Sequence, residues 1–362
     1  MGYRTRRPLP HLHRPLQPTT ATSDHRRPQK SGGGAKKLNV GKLTKSLKRI
    51  YKKSRMLART IHPYIEIRGV IDVKLDELAG KSIRDEDLKW LTIYDLLVEV
   101  VPSLESVLAG GDEDKLDELV SVIQEGMNQG KHADTSKVRH AIERLISPKV
   151  DPPFHLKLKS DRGYAHQATR ALLIPQNDIE RIDDDRYWAK VRNGEKTLTE
   201  DDYPALMYDS TKADAMDPEE GLMEGYLPFK ILRLILHGPQ NTDEAVARVG
   251  GSVAAKNNVT SVTGRLIAYA HAHTLFALTT AEQWAEEVDN FNLSKWYTQM
   301  VKIFEEDPED EKAVELLELW NREIFGDGKG APAVASASAD PAPNSVAAQI
   351  EAKRAARRAG RA

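Results

Sequence analysis

The sequence predicts a mainly α fold: a multi-helix bundle with long irregular connections, a disordered basic N-terminal arm and an Ala/Pro/Ser-rich C-terminal tail. Three observations carry this. Apolar residues recur at three- and four-residue intervals through most of residues 61–326. Gly, Pro and short polar residues stand where those patterns begin and end. The two ends of the chain hold too little apolar surface to offset the entropy of ordering them.

Residues 1–35 mix Arg, Pro, Thr and His with a Gly spacer and read as a disordered arm. Residues 36–60 read as a basic amphipathic helix. Val40, Leu43, Leu47, Ile50, Tyr51 and Leu57 form the apolar stripe between Lys36, Lys37, Lys42, Lys45, Lys48, Arg49, Lys52, Lys53, Arg55 and Arg59. An N-terminal helical part, 61–150, follows. Helices are expected around Leu88–Val101, Leu104–Leu108 and Leu116–Met127, and a further one, capped by Asp134 or Thr135, before Pro148.

A Pro-rich break at Pro148–Phe154 leads into a C-terminal helical core, 151–326. Its central helix lies between Pro228 and Gly238-Pro239, apolar on nearly every face and so buried. The next is expected from about Thr260 to Leu278. Thr279-Thr280 offer capping boxes with Glu282 and Gln283, which predict a short helix carrying Trp284 and Val288. Asn292 or Ser294 caps a helix lined by Trp296, Tyr297, Met300 and Phe304. The last core helix starts in the acidic run Asp307–Glu311, turns Val314, Leu317, Trp320 and Ile324 inward, and stops at Gly326. Residues 327–362 are a tail with a short basic, Ala-rich end that is a candidate helix.

Cysteine is absent, which excludes disulfides and thiolate sites, and no apolar run reaches transmembrane length. With no signal-peptide core at the N-terminus, the expected location is intracellular, the nucleus before the cytoplasm. The net charge of -1 hides an asymmetry. Residues 1–60 carry 17 Lys or Arg against one acid, Asp24; residues 61–326 carry 30 basic against 50 acidic residues. A polycationic arm on an acidic body points to phosphate contact, to nuclear import, or to an arm folded back on its own body, with an anionic membrane surface behind these.

Arg162-Gly163-Tyr164 with His166 and Thr169, Leu172–Pro175, Tyr203-Pro204-Ala205, Gly221 through Leu236, Lys256–Asn258, Val262–Arg265, Ala268–Ala270, Phe276–Leu278, Trp320–Arg322 and Phe325-Gly326 together resemble a helical domain family of unknown function that is expanded in mushroom-forming fungi. The resemblance covers at most about residues 60–326 and leaves the basic arm outside. It implies a mostly helical fungal domain with no established chemistry, and so transfers no active site.

No motif for catalysis, metal or cofactor survives inspection. His271 and His273 stand at i and i+2, on different helix faces, where shared ligation needs i and i+4. His237, at a helix C-terminus, is expected to favour the protonated imidazole. Neither Ser31–Lys37 nor Gly250–Lys256 has phosphate-loop spacing. Asp183-Asp184-Asp185 and Asp201-Asp202 read as solvated loop acids. Arg162, Tyr164, His166, Arg170, Arg265 and Tyr269 form a candidate pocket if their segments meet. The reading is a non-enzymatic protein whose arm binds nucleic acid or chromatin non-specifically while its acidic body binds a protein partner. The alternatives are a scaffold whose arm is only an import signal or internal clamp and, third, an enzyme of unknown class.

Overall fold

In the computed structural model, which describes residues 38–146, 153, 158–245, 250–288, 290–326 and 345–361, the described chain is a mainly α bundle whose core runs from Leu57 to Ile350. Fourteen α-helices are present among the described residues: α1 Lys45–Ser54, α2 Leu57–Thr60, α3 Ile67–Leu78, α4 Leu88–Val100, α5 Ser103–Ala109, α6 Glu113–Ile146, α7 Gln167–Leu173, α8 Asp185–Arg192, α9 Tyr226–His237, α10 Val253–Asn257, α11 Gly264–Leu278, α12 Leu293–Glu305, α13 Glu311–Phe325 and α14 Val346–Arg361. The arm 1–35, Lys36, Lys37 and the Pro148–Pro152 end of the Pro-rich break lie outside the described residues.

Helix α11 is the hub. Fourteen of its fifteen residues are buried, Arg265 being the exception, because α2, α6, α7, α9 and α12 surround it. Its small residues allow this: a Cβ on Gly264 would stand 2.5 Å from the Phe304 Cβ of α12, so only glycine lets the two helices approach. Helix α9 lies beside it with ten of its twelve residues buried, as a helix apolar on nearly every face requires. Gly238 ends α9 at φ 98°, and Gly326 ends α13 at φ 76°, both in the left-handed region that favours glycine.

Three elements depart from the sequence expectation. The two helices expected on either side of Asp134 are one 34-residue helix, α6, roughly 50 Å long. Asp134 does not cap anything; its side chain is fully buried in an ion pair. The helix expected after Thr280 is instead a short antiparallel hairpin, Glu287–Val288 (β1) with Phe291–Asn292 (β2). Trp284 reaches back to stack on Tyr64 at 5.4 Å and to meet His273 at 4.5 Å, contacts that a helix there would not deliver. In α13 the inner face is Ala313, Leu316, Trp320 and Ile324, while Val314 is exposed.

The motif residues quoted for the family resemblance sit at junctions. Ile174-Pro175 pairs with Tyr203-Pro204-Ala205, through Gln176 N–H to the Tyr203 carbonyl (2.9 Å) and Ala205 N–H to the Ile174 carbonyl (2.8 Å). Asn321 Oδ1 accepts from the Val262 N–H at 2.8 Å and fixes the approach to α11. At the other end of α11, Gly163 N–H donates to the Leu278 carbonyl at 2.9 Å. Arg162 Nη1 donates to the Ala277 carbonyl at 2.9 Å, and Lys159 Nζ to that of Phe276 at 2.6 Å. The Arg-Gly-Tyr segment is thus a cationic cap on a helix C-terminus, where the dipole favours positive charge.

Candidate nucleic-acid interface

Helix α1 presents the basic row because its other face is anchored. Thr44 caps it, the Thr44 hydroxyl accepting from the Leu47 N–H. Its last turn and the start of α2 then cross α6 over Gly126 and Gly130. A Cβ on Gly126 would come 2.6 Å from the Tyr51 carbonyl oxygen, and one on Gly130 would overlap the Arg55 carbonyl. Ser54 and Ala58, both fully buried, complete the small-residue contact. Leu47 and Ile50 pack against the core, so the opposite face is fixed toward solvent.

Lys42, Lys45, Arg49, Lys52, Lys53 and Arg55 are exposed. Lys45, Arg49 and Lys52, spaced i, i+4 and i+7, share one face over roughly 10 Å. Lys48 is half-buried and donates to the Gly41 carbonyl at 2.9 Å; Lys53 donates to that of Val100 at 3.4 Å. Among the described residues none of these seven side chains has a carboxylate within ion-pair distance. Lys36 and Lys37 lie outside the described residues.

Arg59 does not belong to that row. It is buried, its Nε donating to Asp134 Oδ2 at 2.6 Å and its Nη2 to Oδ1 at 2.9 Å. Tyr269 of α11 donates its hydroxyl to the same Oδ2 at 3.0 Å. Burial works to lower the Arg59 pKa, but the Asp134 charge and hydrogen bonds raise it above its ordinary value; burial, then the same carboxylate, pushes the Tyr269 phenol well up. Arg59 is therefore a structural cation that joins α2, α6 and α11. Its partner lies 75 residues away, and nothing local in the sequence marks it.

The six candidate pocket residues do not converge. Arg162, Tyr164, His166 and Arg170 gather near the C-terminal end of α11. There Tyr164 stacks on Trp188 at 5.5 Å, Arg170 lies over the same ring at 5.3 Å, and the His166 ring accepts from the Ala168 N–H as the cap of α7. Arg265 sits in the first turn of α11, roughly 18 Å along the axis from Ala277. It holds Glu305 through two bonds of 2.6 Å and donates to the Ile61 carbonyl at 2.7 Å. Arg265 instead edges a cleft of about 200 Å³ with His62, Tyr64, Trp90 and Tyr297.

The other titratable groups serve the fold. His271 and His273 are fully buried, and burial holds them neutral, with pKa values pushed down from 6.5 to about 4 and about 3. His62, buried beside the cationic Arg265, is pushed down to about 3. His237 is also lowered by burial, which overrides the helix-dipole expectation of a protonated ring. Asp184 caps α8 by accepting from Arg186 and Tyr187 N–H groups, and Asp201 accepts from Gln299 at 2.6 Å beside Lys295. Among the described residues no three His, Asp or Glu side chains gather to hold a metal ion. Among them, too, no helix is long and apolar enough to cross a membrane.

A family model for a family of unknown function, DUF6698, matches residues 125–325. The chain belongs to this family. The matched segment opens inside α6 and closes at the end of α13, so it takes in Gly126, Gly130, Asp134 and the Arg162–Tyr164 cap but leaves α1 and α14 outside. No curated protein and no solved structure matches the chain.

Proposed function

We propose that this chain binds the phosphate backbone of nucleic acid, without reading base sequence, through the solvent face of α1 and the basic arm that precedes it. The acidic body is left to engage a protein partner. The observation that carries the reading is a row of exposed lysines and arginines, unpaired with carboxylates among the described residues, on a helix whose back is locked to α6. A cation already neutralised by the body would gain little from a phosphate, whereas these release counterions when they meet one. The same absence of ion pairs speaks against α1 as an internal clamp. A basic arm of this kind suits a nuclear protein, and the quoted motif residues support a fungal origin.

The test uses the full chain and a Lys45→Glu/Arg49→Glu/Lys52→Glu variant against unrelated duplex DNA and single-stranded RNA over a salt series. Binding by the parent, with the slope of log affinity against log salt reduced by about 3 in the variant, is the expected result. Absence of binding at low salt, or an unchanged slope, would sink the proposal and favour a scaffold in which the arm is only an import signal.

A further inference from the structure

Helix α14 is a basic amphipathic helix seated in a groove of the body. Val346, Ala347, Ile350 and Arg354 are its buried face, at the spacing of one helical stripe. Two arginines provide the grip. Arg354 Nε donates to Glu219 Oε1 at 3.1 Å and its Nη1 to the Ile303 carbonyl at 2.6 Å. Arg357 donates to Glu219 Oε2 at 2.6 Å and, through Nε, to Asp310 Oδ2 at 2.9 Å. The Glu219 and Asp310 side chains are 3% and 1% exposed. Carboxylates so deeply buried require a counter-cation, and the helix supplies it.

We propose that the groove floored by Tyr203 and Ile303 and edged by Glu219 and Asp310 is a recognition site for basic amphipathic helices, with α14 as its tethered, exchangeable ligand. The pattern it reads is an apolar side chain with arginines four and seven residues later, as in Ile350, Arg354 and Arg357. Exchange follows from the composition of the contact. Its apolar part is three side chains, one of them an alanine, while Lys353–Asp217 (2.5 Å), Lys302–Glu351 (3.6 Å) and Arg358–Glu306 (3.6 Å) add partly exposed ion pairs that salt weakens. Residues 327–344, rich in Ala, Pro and Ser, join α13 to α14 covalently, so a released α14 stays attached to the body. Such a tether presents α14 to its groove at an effective concentration that masks the site from ligands in trans. None of this depends on what α1 binds.

The experiment titrates a fluorescent peptide of residues 345–361 into the full chain and into an Ile350→Asp chain, whose own α14 is evicted. The expected result is binding to the Ile350→Asp chain that weakens with salt, at least about tenfold tighter than to the parent. Adding Glu219→Gln and Asp310→Asn should abolish it; asparagine still accepts from the Ala313 N–H, so α13 keeps its cap. An Arg354→Gln/Arg357→Gln chain evicts the helix by a second route should Ile350→Asp misfold. No peptide binding to either evicted chain, equal binding to the parent, or binding indifferent to Glu219→Gln/Asp310→Asn would overturn the proposal.

Discussion

Arg59 Nε lies 2.6 Å from Asp134 Oδ2, and this buried pair ties the end of the basic segment to the middle of α6. Tyr269 completes the link to α11, so three helices distant in sequence meet on one carboxylate. The pair converts what looks like the last cation of a nucleic-acid-binding row into a fastening for that row.

Removing one member leaves an uncompensated charge. Asp134→Ala is expected to lower unfolding stability by about 3–5 kcal/mol, and a volume-conserving Arg59→Met/Asp134→Leu pair to recover most of that loss. Urea unfolding of the three proteins checks it. The double variant should also keep the salt slope of nucleic-acid binding, because Arg59 does not face solvent.

The glycine notch gives an opposed pair of outcomes. Gly130→Ala forces a methyl into the Arg55 carbonyl and should cost about 1–3 kcal/mol. Gly69→Ala in α3 meets nothing within 4 Å and should stabilise by about 0.5–1 kcal/mol, since alanine is the better helix former. Thermal melts that move both variants in the same direction would contradict the packing described.

His62, His271 and His273 are held neutral by burial, with pKa values of about 3, 4 and 3 against an ordinary 6.5. Below pH 6.5 the unfolded chain takes up protons that the folded chain refuses. Their stabilising contribution is therefore complete above 6.5 and is lost progressively as the pH falls toward 3. Unfolding free energy measured from pH 7 to 4 should fall, and His273→Phe should shallow that fall.

The phase of α13 is testable at two neighbouring positions. Leu316→Ala should cost roughly 2–4 kcal/mol, whereas Val314→Ser should stay within about 0.5 kcal/mol. Equal penalties, read by chemical denaturation, would restore the inner face expected from the sequence.

What the sequence made legible is local. Pro228 and Gly238 bound α9, Asn292 caps α12 with its side chain on the Lys295 N–H, and Gly326 closes α13, each from chemistry within a few residues. Asp134 misled because a lone aspartate before an apolar run has the composition of a cap. Its burial depends on an arginine and a tyrosine in other helices. The capping boxes at Thr279 and Thr280 lost to the aromatic contacts of Trp284. The basic row was visible as composition, yet which cation turns inward was set by Asp134 of α6. Of the grip on α14, Glu219 carried no motif, and Asp310 was legible only as part of the acidic start of α13.

The match that defines the family begins at residue 125, one residue before the first notch glycine. A protein expressed from that boundary would start its long helix in mid-course, present Gly126 and Gly130 to water, and bury Asp134 with no guanidinium to meet it. Ending it at residue 325 would leave Glu219 and Asp310 without their arginines. The matched span and the span that keeps these ion pairs differ, and expression boundaries that retain them lie outside Leu38 and Arg361.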